Sequence, residues 1–307
     1  MKHQEVTIIG ELMNNSYLRA RNAWQARSIE GYQELAKLQE GLGASYLTLN
    51  MDGTQKIQVE LKEMIDFLAV VVPALQAATS LPISFDNPHI DFHRAALRCY
   101  DRSKVKGRPI LNSVAVSRTH SKEMMDLAKD FDMNIIVMAS ECERKGSHGP
   151  CLSADDVVRT TVDFVRQLQQ RGIENDRVIV DPGLAPVASD TTGLINLCLD
   201  SIRSLRAHPE LQGIHISVGL SNFAIGAPKP LRIPLECAFL RLAVDSGMDW
   251  ALANPEKNTK PLEANDPLVL KLKDVLQAGR VKAGEKAEDA GFRQLDELME
   301  IWSDEDD

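Results

Sequence analysis

Short apolar runs alternate along the chain with longer stretches whose apolar residues recur at intervals of three and four. The runs are Val6–Gly10, Ser45–Asn50, Leu81–Asp86, Arg108–Ser113, Met133–Ala139, Arg177–Pro182, Ile214–Asn222 and Asp249–Pro255. Runs this short suit strands buried on both faces. Ile29, Tyr32, Leu35, Ala36 and Leu42 keep a helical spacing, and Gly41 and Gly43 mark its stop. Val158, Val162, Val165 and Leu168 lie near one stripe of a helix predicted over Val157 to Leu168, with Ser153 as N-cap and Gly172 as C-cap. A shorter helix is predicted over Ile202 to Leu211. Another is predicted over Pro234 to Ser246, with proline in its first turn, then Leu235, Ala238, Phe239, Leu242 and Ala243. Eight strands alternating with helices predict an α/β fold, a closed (β/α)8 TIM barrel; a doubly wound open sheet follows the same local pattern. Strand placement leaves no room for a linker between residues 6 and 255. After Pro261 come polar helical segments, with Gly284 and Gly291 as breakers and an Asp304–Asp307 cluster. The expected division is a barrel over residues 1–260 and a helical extension over 261–307. The extension is expected to dock outside the barrel, its terminal aspartates frayed into solvent.

The chain has 307 residues, of which 44 % are hydrophobic, enough for a sizeable core. A net charge of -9 argues against a general nucleic-acid surface. An aromatic content of 5 % argues against a stacking platform for single strands. No stretch reaches the length of a membrane span; the run Phe67–Leu75 is short and holds Pro73. The opening MKHQEVTIIG has no signal-peptide core, so an unexported, cytoplasmic chain is expected. Cys99, Cys142, Cys151, Cys198 and Cys237 are odd in number and scattered, which argues against a disulfide framework.

The chemistry is concentrated where the strands end. Glu11 and Asn14 follow the first, Asn50 and Asp52 the second, Asp86 and Asn87 the third, Asn112 and Ser113 the fourth. Asp181 ends the sixth, Ser221 and Asn222 the seventh, Asn254 the eighth. In a barrel these all reach the C-terminal mouth, where active sites form. The set is rich in Asn and Asp, with no strong nucleophile and no His/Cys cluster. Taken singly, such residues commonly form Asx turns or cap the next helix, and Asn-Pro after Asp86 and Pro-Gly after Asp181 are turn signals. As a group, Asn50, Asn112 and Asn222 sit at or near buried strand ends, where an unpaired amide is costly. Asn and Asp together can satisfy the donors and acceptors of a planar heterocycle.

Other candidates carry less. Cys142, His148 and Cys151 share one loop but match no zinc spacing, so no metal site is expected. Gly41–Gly43 lacks the third glycine of a nucleotide fingerprint and follows a helix. His89 and His93, one helical turn apart, read as a solvated helix surface rather than a metal pair. Asp155 and Asp156 read as first-turn charges, and the cations of YDRSKVKGR as a solvated loop.

Taken in order, these strand ends resemble the pterin-binding methyltransferases. The resemblance is greatest to the methyltetrahydrofolate:corrinoid protein methyltransferases, whose domain also occurs in cobalamin-dependent methionine synthase; dihydropteroate synthase is a more distant relative. It spans roughly residues 6–255. Its strongest piece is VGLSNFAIGAPKP with Arg232, similar to a Gly-Leu-Ser-Asn motif after the seventh strand. IIGELMN resembles Ile-Ile-Gly-Glu-Arg-Ile-Asn, and LTLN resembles Leu-Asp-(Val/Leu)-Asn. ISFDN, ILNS and VIVDPGLAPV resemble the Leu-Asp-Ser, Ile-Asn-Ser and Ile-Asp-Pro segments. The resemblance implies that Asp86, Asn112 and Asp181 contact the pterin ring, that Asn222 lies near N5 and its methyl group, and that Asn14 and Asn50 line the same mouth. Asp181 and Asn222 are the implied catalytic pair. The chain departs from the pattern at Thr48, where aspartate is usual, and at Leu12 and Met13, which replace Arg-Ile. Glu236 and Cys237 replace Asn-Arg in the helix after the seventh strand, and FAIGAPKP replaces a Val-Ser segment.

The implied activity is methyl transfer between tetrahydrofolate N5 and the cobalt of a corrinoid protein, in a direction the sequence does not encode. Tetrahydrofolate or 5-methyltetrahydrofolate would be the substrate, and cobalamin or a related corrinoid would be carried by the partner. A homodimer is also implied. A methyl on tertiary N5 leaves poorly unless that nitrogen gains positive character, so a donor near N5 matters more than a protein nucleophile. Two alternatives stand beside this reading. A dihydropteroate synthase would need cations for a pyrophosphate leaving group, for which Lys229 and Arg232 are candidates. A non-catalytic pterin-binding protein would accommodate Thr48 and the altered segment after Asn222.

Overall fold

The computed structural model describes residues 6–303. In chain order the strands are β1 (Thr7–Gly10), β2 (Tyr46–Leu49), β3 (Ile83–Asp86), β4 (Ile110–Val114), β5 (Asn134–Met138), β6 (Glu141–Arg144), β7 (Ser147–Pro150), β8 (Val178–Asp181), β9 (His215–Ile216) and β10 (Trp250–Ala253). Eight of them pair in parallel in the order β10-β1-β2-β3-β4-β5-β8-β9. The ring closes where the chain beyond β9 meets β10: the Leu252 amide donates to the Val218 carbonyl at 3.0 Å. The fold is a (β/α)8 barrel rather than an open sheet. All eight predicted runs are strands of this ring. The remaining pair, β6 and β7, is an antiparallel hairpin inserted after β5, in the segment read from sequence as a loop.

Period-two alternation decides which residues face the barrel interior. Ile9, Ile110, Ile136, Ile179 and Trp250 form one cluster inside the ring, with Tyr46, Met138 and Leu252 against it. Their neighbours Ile8, Leu47, Phe85, Leu111, Ile135, Val137, Val178 and Val180 belong to the larger core between sheet and helices. Counting on by two from the inward residues reaches Glu11, Asn50, Asn112 and Asp181. In β3 the inward positions are Ser84 and Asp86, in register with Ile110 and Asn112 of β4. The alternation that packs the interior thus aims these side chains into the mouth. At Gly10, an outward position, an added Cβ would stand 2.4 Å from Gln39 Oε1, the oxygen that accepts from Leu12 N, so a side chain there would displace that contact.

The helices are α1 (Leu18–Gln25), α2 (Ile29–Gly41), α3 (Leu61–Ala78), α4 (Ile90–Arg98), α5 (Ser121–Asp130), α6 (Ala154–Gln169), α7 (Leu194–Ala207), α8 (Arg232–Ser246), α9 (Pro267–Ala278) and α10 (Ala287–Ser303). Local signals set their ends. Ser28 and Ser153 cap α2 and α6 by accepting from Gly31 N and Asp156 N. Asp266 caps α9 with proline in the first turn. Two sequence expectations are corrected here. The helix predicted to begin at Ile202 begins at Leu194, because Asp190 Oδ1 and Oδ2 accept from Leu194 N and Ile195 N and organise an earlier start. Gly291 breaks no helix: it lies inside α10, where a Cβ would come 2.1 Å from the Thr191 carbonyl oxygen.

After residue 261, α9 and α10 dock on the barrel's flank. Asn196 donates to the Leu276 carbonyl at 2.7 Å, and Arg280 grips Asp200 of α7 with two bonds of 2.8 and 2.9 Å. Buried Gln294 of α10 donates to the Asp190 carbonyl and Oδ2 at 3.2 and 3.3 Å. The Asp304–Asp307 cluster lies outside the described residues. Among the described residues, no helix is long and apolar enough to cross a membrane.

Candidate functional site

At the mouth, the ends of β2, β3 and β4 are knit together by carboxamides. Asn50 Nδ2 donates to Asp86 Oδ2 at 3.1 Å and to Asp52 Oδ2 at 3.4 Å. Buried Asn87 donates to Asp52 Oδ1 at 2.5 Å, and its backbone amide donates to the Asn112 carbonyl at 3.0 Å. Asn14 lies beside this group through its bridge to Asn50, and its Oδ1 accepts from Ser16 N at 2.8 Å. Asn14 is thus a rim residue with an Asx turn. Asp52 is held by Asn50 and Asn87, and burial pushes its carboxyl above the ordinary range.

Asp86, Asn112 and Asp181 keep polar atoms in reserve. Asp86 receives only the Asn50 bond, on Oδ2, among the described residues. Asp181 Oδ1 accepts from Gly183 N at 2.8 Å, so the turn expected after this strand forms, but it occupies one oxygen. Asn112 is 6 % exposed and its carboxamide has no protein partner among the described residues. Burial pushes Asp86 up to about 6, against the opposing Asn50 bond, and pushes Asp181 up to about 6, against the Gly183 amide. Both are mostly ionised above neutrality and hold free acceptor positions. A planar ligand edge with adjacent N–H donors matches that arrangement.

Across the ring, the chain beyond β9 turns through Leu220–Asn222. Asn222 is exposed here, not buried as the strand-end pattern implied, and its amide lies over Gly219: a Cβ at that glycine would come 2.9 Å from Nδ2. Ser221 turns inward and donates to Glu11 Oε1, which also accepts from the Tyr17 hydroxyl. Asn254, the polar end of β10, accepts from Glu256 N at 3.0 Å and shapes a turn. Arg232 directs Nε to the Ala227 carbonyl at 2.9 Å, bracing the loop after Asn222.

Sequence reading passed over several residues of this region. Arg118 donates to the Ser113 carbonyl and is the cation that faces Asp86 and Asp52; nothing marked it within its loop. Tyr17, Asn258 and His93 were likewise missed or misread. His93 is wholly buried, with Nε2 2.8 Å from the Asn87 carbonyl, and burial pushes it down to about 4. It braces the β3 end and is not a solvated surface group. Cys142 and Cys151 are buried at the hairpin base while His148 is exposed, and Cys151 Sγ donates to the Ala139 carbonyl at 3.3 Å. Among the described residues, no group of three or more His, Cys, Asp or Glu side chains is placed to hold a metal. A cavity of about 550 Å³ lies between α5 and α6, but two of its cations, Arg159 and Arg166, are paired with Asp156 and Glu210.

A family model described as "Pterin binding enzyme" matches residues 20–254. A methylcorrinoid:tetrahydrofolate methyltransferase from Eubacterium limosum is 24 % identical over 285 residues, covering 89 % of this chain and 97 % of that one. Among solved structures, a Yersinia pestis dihydropteroate synthase with a sulfonamide drug superposes at a TM-score of 0.60. It shares 13 % identity and covers 91 % of this chain and 95 % of its own. A Xanthomonas albilineans dihydropteroate synthase superposes at 0.55, with 18 % identity and coverage of 91 % and 94 %. At these identities the solved structures speak to the fold.

Proposed function

The chain belongs to the pterin binding enzyme family, and from that premise we propose that it transfers a methyl group between tetrahydrofolate N5 and the cobalt of a corrinoid protein. The observation that carries the reading is the mouth itself. Asp86, Asn112 and Asp181 hold polar atoms that no described residue occupies, and Asn222 is exposed in the turn that follows β9. The two aspartates accept from the N–H groups of the pterin's pyrimidine edge, and Asn112 reads the same edge. The reacting nitrogen is then on the Asn222 side. The activity for which the Eubacterium limosum relative is named supports both the reaction and a direction from methylcorrinoid to tetrahydrofolate. The corrinoid is a substrate brought by its own protein, and this chain supplies orientation and polarity. The Asn222 carboxamide orients the N5 edge, a contact that matters most when the charge on that nitrogen changes. The family resemblance further supports a homodimer; sedimentation showing only monomer at micromolar concentration would refute that part.

The test is a pair of measurements on the full chain. Tetrahydrofolate should raise its melting temperature, and single-turnover mixing with a methylated corrinoid protein should yield 5-methyltetrahydrofolate. Stabilisation by folate without turnover would make the chain a pterin binder. Condensation of a dihydropterin pyrophosphate with p-aminobenzoate would make it a dihydropteroate synthase.

A further inference from the structure

Glu236 is one of the positions where this chain departs from the pattern it resembles, carrying a carboxylate in place of an amide. It lies in α8, is 7 % exposed, and accepts from Asn258 Nδ2 at 2.7 Å. Asn258 is wholly buried, and its orientation is unambiguous because its Oδ1 accepts from the Asn254 amide at 2.8 Å. The same Nδ2 reaches Ser221 Oγ at 3.2 Å, and Ser221 in turn donates to Glu11 Oε1. Glu11 and Glu236 are therefore joined through half-buried Ser221 and buried Asn258 in one chain of hydrogen bonds.

Every direct partner in that chain is neutral. Tyr17 stays a phenol, its hydroxyl pushed up by burial and by Glu11 itself. Among the described residues neither carboxyl forms an ion pair. Lys257 and Arg232 act on Glu236 only through space, and Arg19 is paired with Glu256. Burial pushes both Glu11 and Glu236 above the ordinary carboxylate range, and the charge of Glu236 adds to the push on Glu11. Two buried like charges without a contacting cation are costly, and one proton relieves that cost. Glu11 receives two donors and Glu236 one, which favours the anion at Glu11 and the proton at Glu236, against the pull of Lys257 and Arg232 on Glu236; Glu11 keeps an oxygen, Oε2, with no donor among the described residues.

We propose that Glu11 and Glu236 form a carboxyl pair that shares one proton, and that Glu11 accepts the proton the pterin nitrogen releases as it is methylated. The proposal rests on the methyl-transfer reading above. In the step, the N5–CH3 bond forms while the Co–CH3 bond breaks, and that electron pair stays on cobalt, taking Co(III) to Co(I). The N5–H bond also breaks, its electrons remain on nitrogen, and the proton moves to Glu11 Oε2. Both carboxyls are then neutral, and the pair returns one proton to solvent. Glu11 is the catalytic residue; Glu236 is a positioning residue that acts through Asn258 and Ser221.

Infrared difference spectra of the ligand-free protein at pH 7.5 test the shared proton without any reaction. The wild type should show a protonated carboxyl band that is lost in both E11Q and E236Q, because each variant frees the remaining carboxyl to ionise. A band unaffected by both substitutions, in variants with normal circular dichroism, would overturn the pair. Single-turnover methyl transfer tests the acceptor. E11Q should slow the step by about a hundredfold, within the range for a general base, with folate affinity changed less. E11D should recover part of the rate. The wild-type pH–rate profile should rise in two steps and that of E236Q in one. Equal rates in E11Q and wild type would overturn the acceptor role. A wild type that shows the band but transfers no methyl group would sink the reaction and the acceptor role together, leaving the shared proton intact.

Discussion

On the side of the mouth built by β2 to β8, each aspartate that opens to the cavity has one oxygen tied to the protein and one free, with a cation, Arg118, facing Asp86. On the side built by β9, β10 and β1, the carboxyls of Glu11 and Glu236 are tied to each other through neutral groups, and no cation among the described residues touches either. Carboxyls around one barrel mouth are thereby given different work. An ionised carboxylate with a spare acceptor grips a ligand's N–H groups. A carboxyl facing another carboxyl holds protons. The difference lies in the donors supplied by neighbouring loops.

The largest expected effect strikes the proton-holding side. Asn222→Ala should slow single-turnover methyl transfer by roughly tenfold to a thousandfold, with a smaller loss of folate affinity. Matched losses would move Asn222 to the gripping side and erase the contrast. Next, Asp86→Asn or Asp181→Asn should weaken folate binding more than about tenfold, the loss of a charged hydrogen bond of ~1.5–3 kcal/mol. Calorimetric dissociation constants unchanged in both variants would reduce these residues to turn formers.

A third, milder effect is set by pH. Folate affinity should fall as pH drops through about 6, where Asp86 and Asp181 protonate. Stability runs the other way. Both groups sit above their unfolded value of 3.8, so their contribution is full below that value and is lost as pH rises through about 6. Urea unfolding of the wild type against the Asp86→Asn, Asp181→Asn double variant isolates that part, and the double variant should be relatively more stable at pH 7 than at pH 4. The opposite sign would show that these carboxyls are stabilised as anions in the free protein. The smallest effect belongs to Gly219→Ala. A methyl group 2.9 Å from Asn222 Nδ2 should displace that exposed amide and slow transfer by about twofold to tenfold. Folate affinity governed by Asp86 and Asp181 should stay as it is.

Most of the gripping side could be read from the chain alone, because period-two alternation and strand ends are local. Asp86, Asn112 and Asp181 each follow a buried run by a fixed count, and the barrel sends all such positions to one rim. The proton-holding side had no such signature. Glu11 and Tyr17 share the β1–α1 connection while Ser221, Glu236 and Asn258 come from three other segments; Glu11 and Ser221 stood out only as strand-end polar residues and Glu236 only as a departure. Other misreadings have similarly physical causes. The start of α7 was hidden because its capping carboxylate, Asp190, lies four residues before the first helical residue, with Gly193 between them at φ 79°. The hairpin was hidden because only Cys142 of β6 is buried, leaving no apolar alternation to find. Gly291 looked like punctuation, yet its missing side chain serves contact with Thr191 rather than flexibility.

That contact has a consequence in time rather than in space. The segment running from Asp181 to α7 passes through Asp190 and Thr191, and both are met by α10, through Gln294 and Gly291. Every strand of the ring has left the ribosome once Ala253 has emerged, but Gln294 follows some forty residues later. At the ~5–20 residues per second of synthesis, a nascent barrel spends seconds with its ring assembled and the support behind its sixth strand still missing. Full affinity for folate should therefore be the last property the growing chain acquires. Ribosome-bound chains stalled before and after α10 would differ in ligand binding more than in the protease resistance of the barrel.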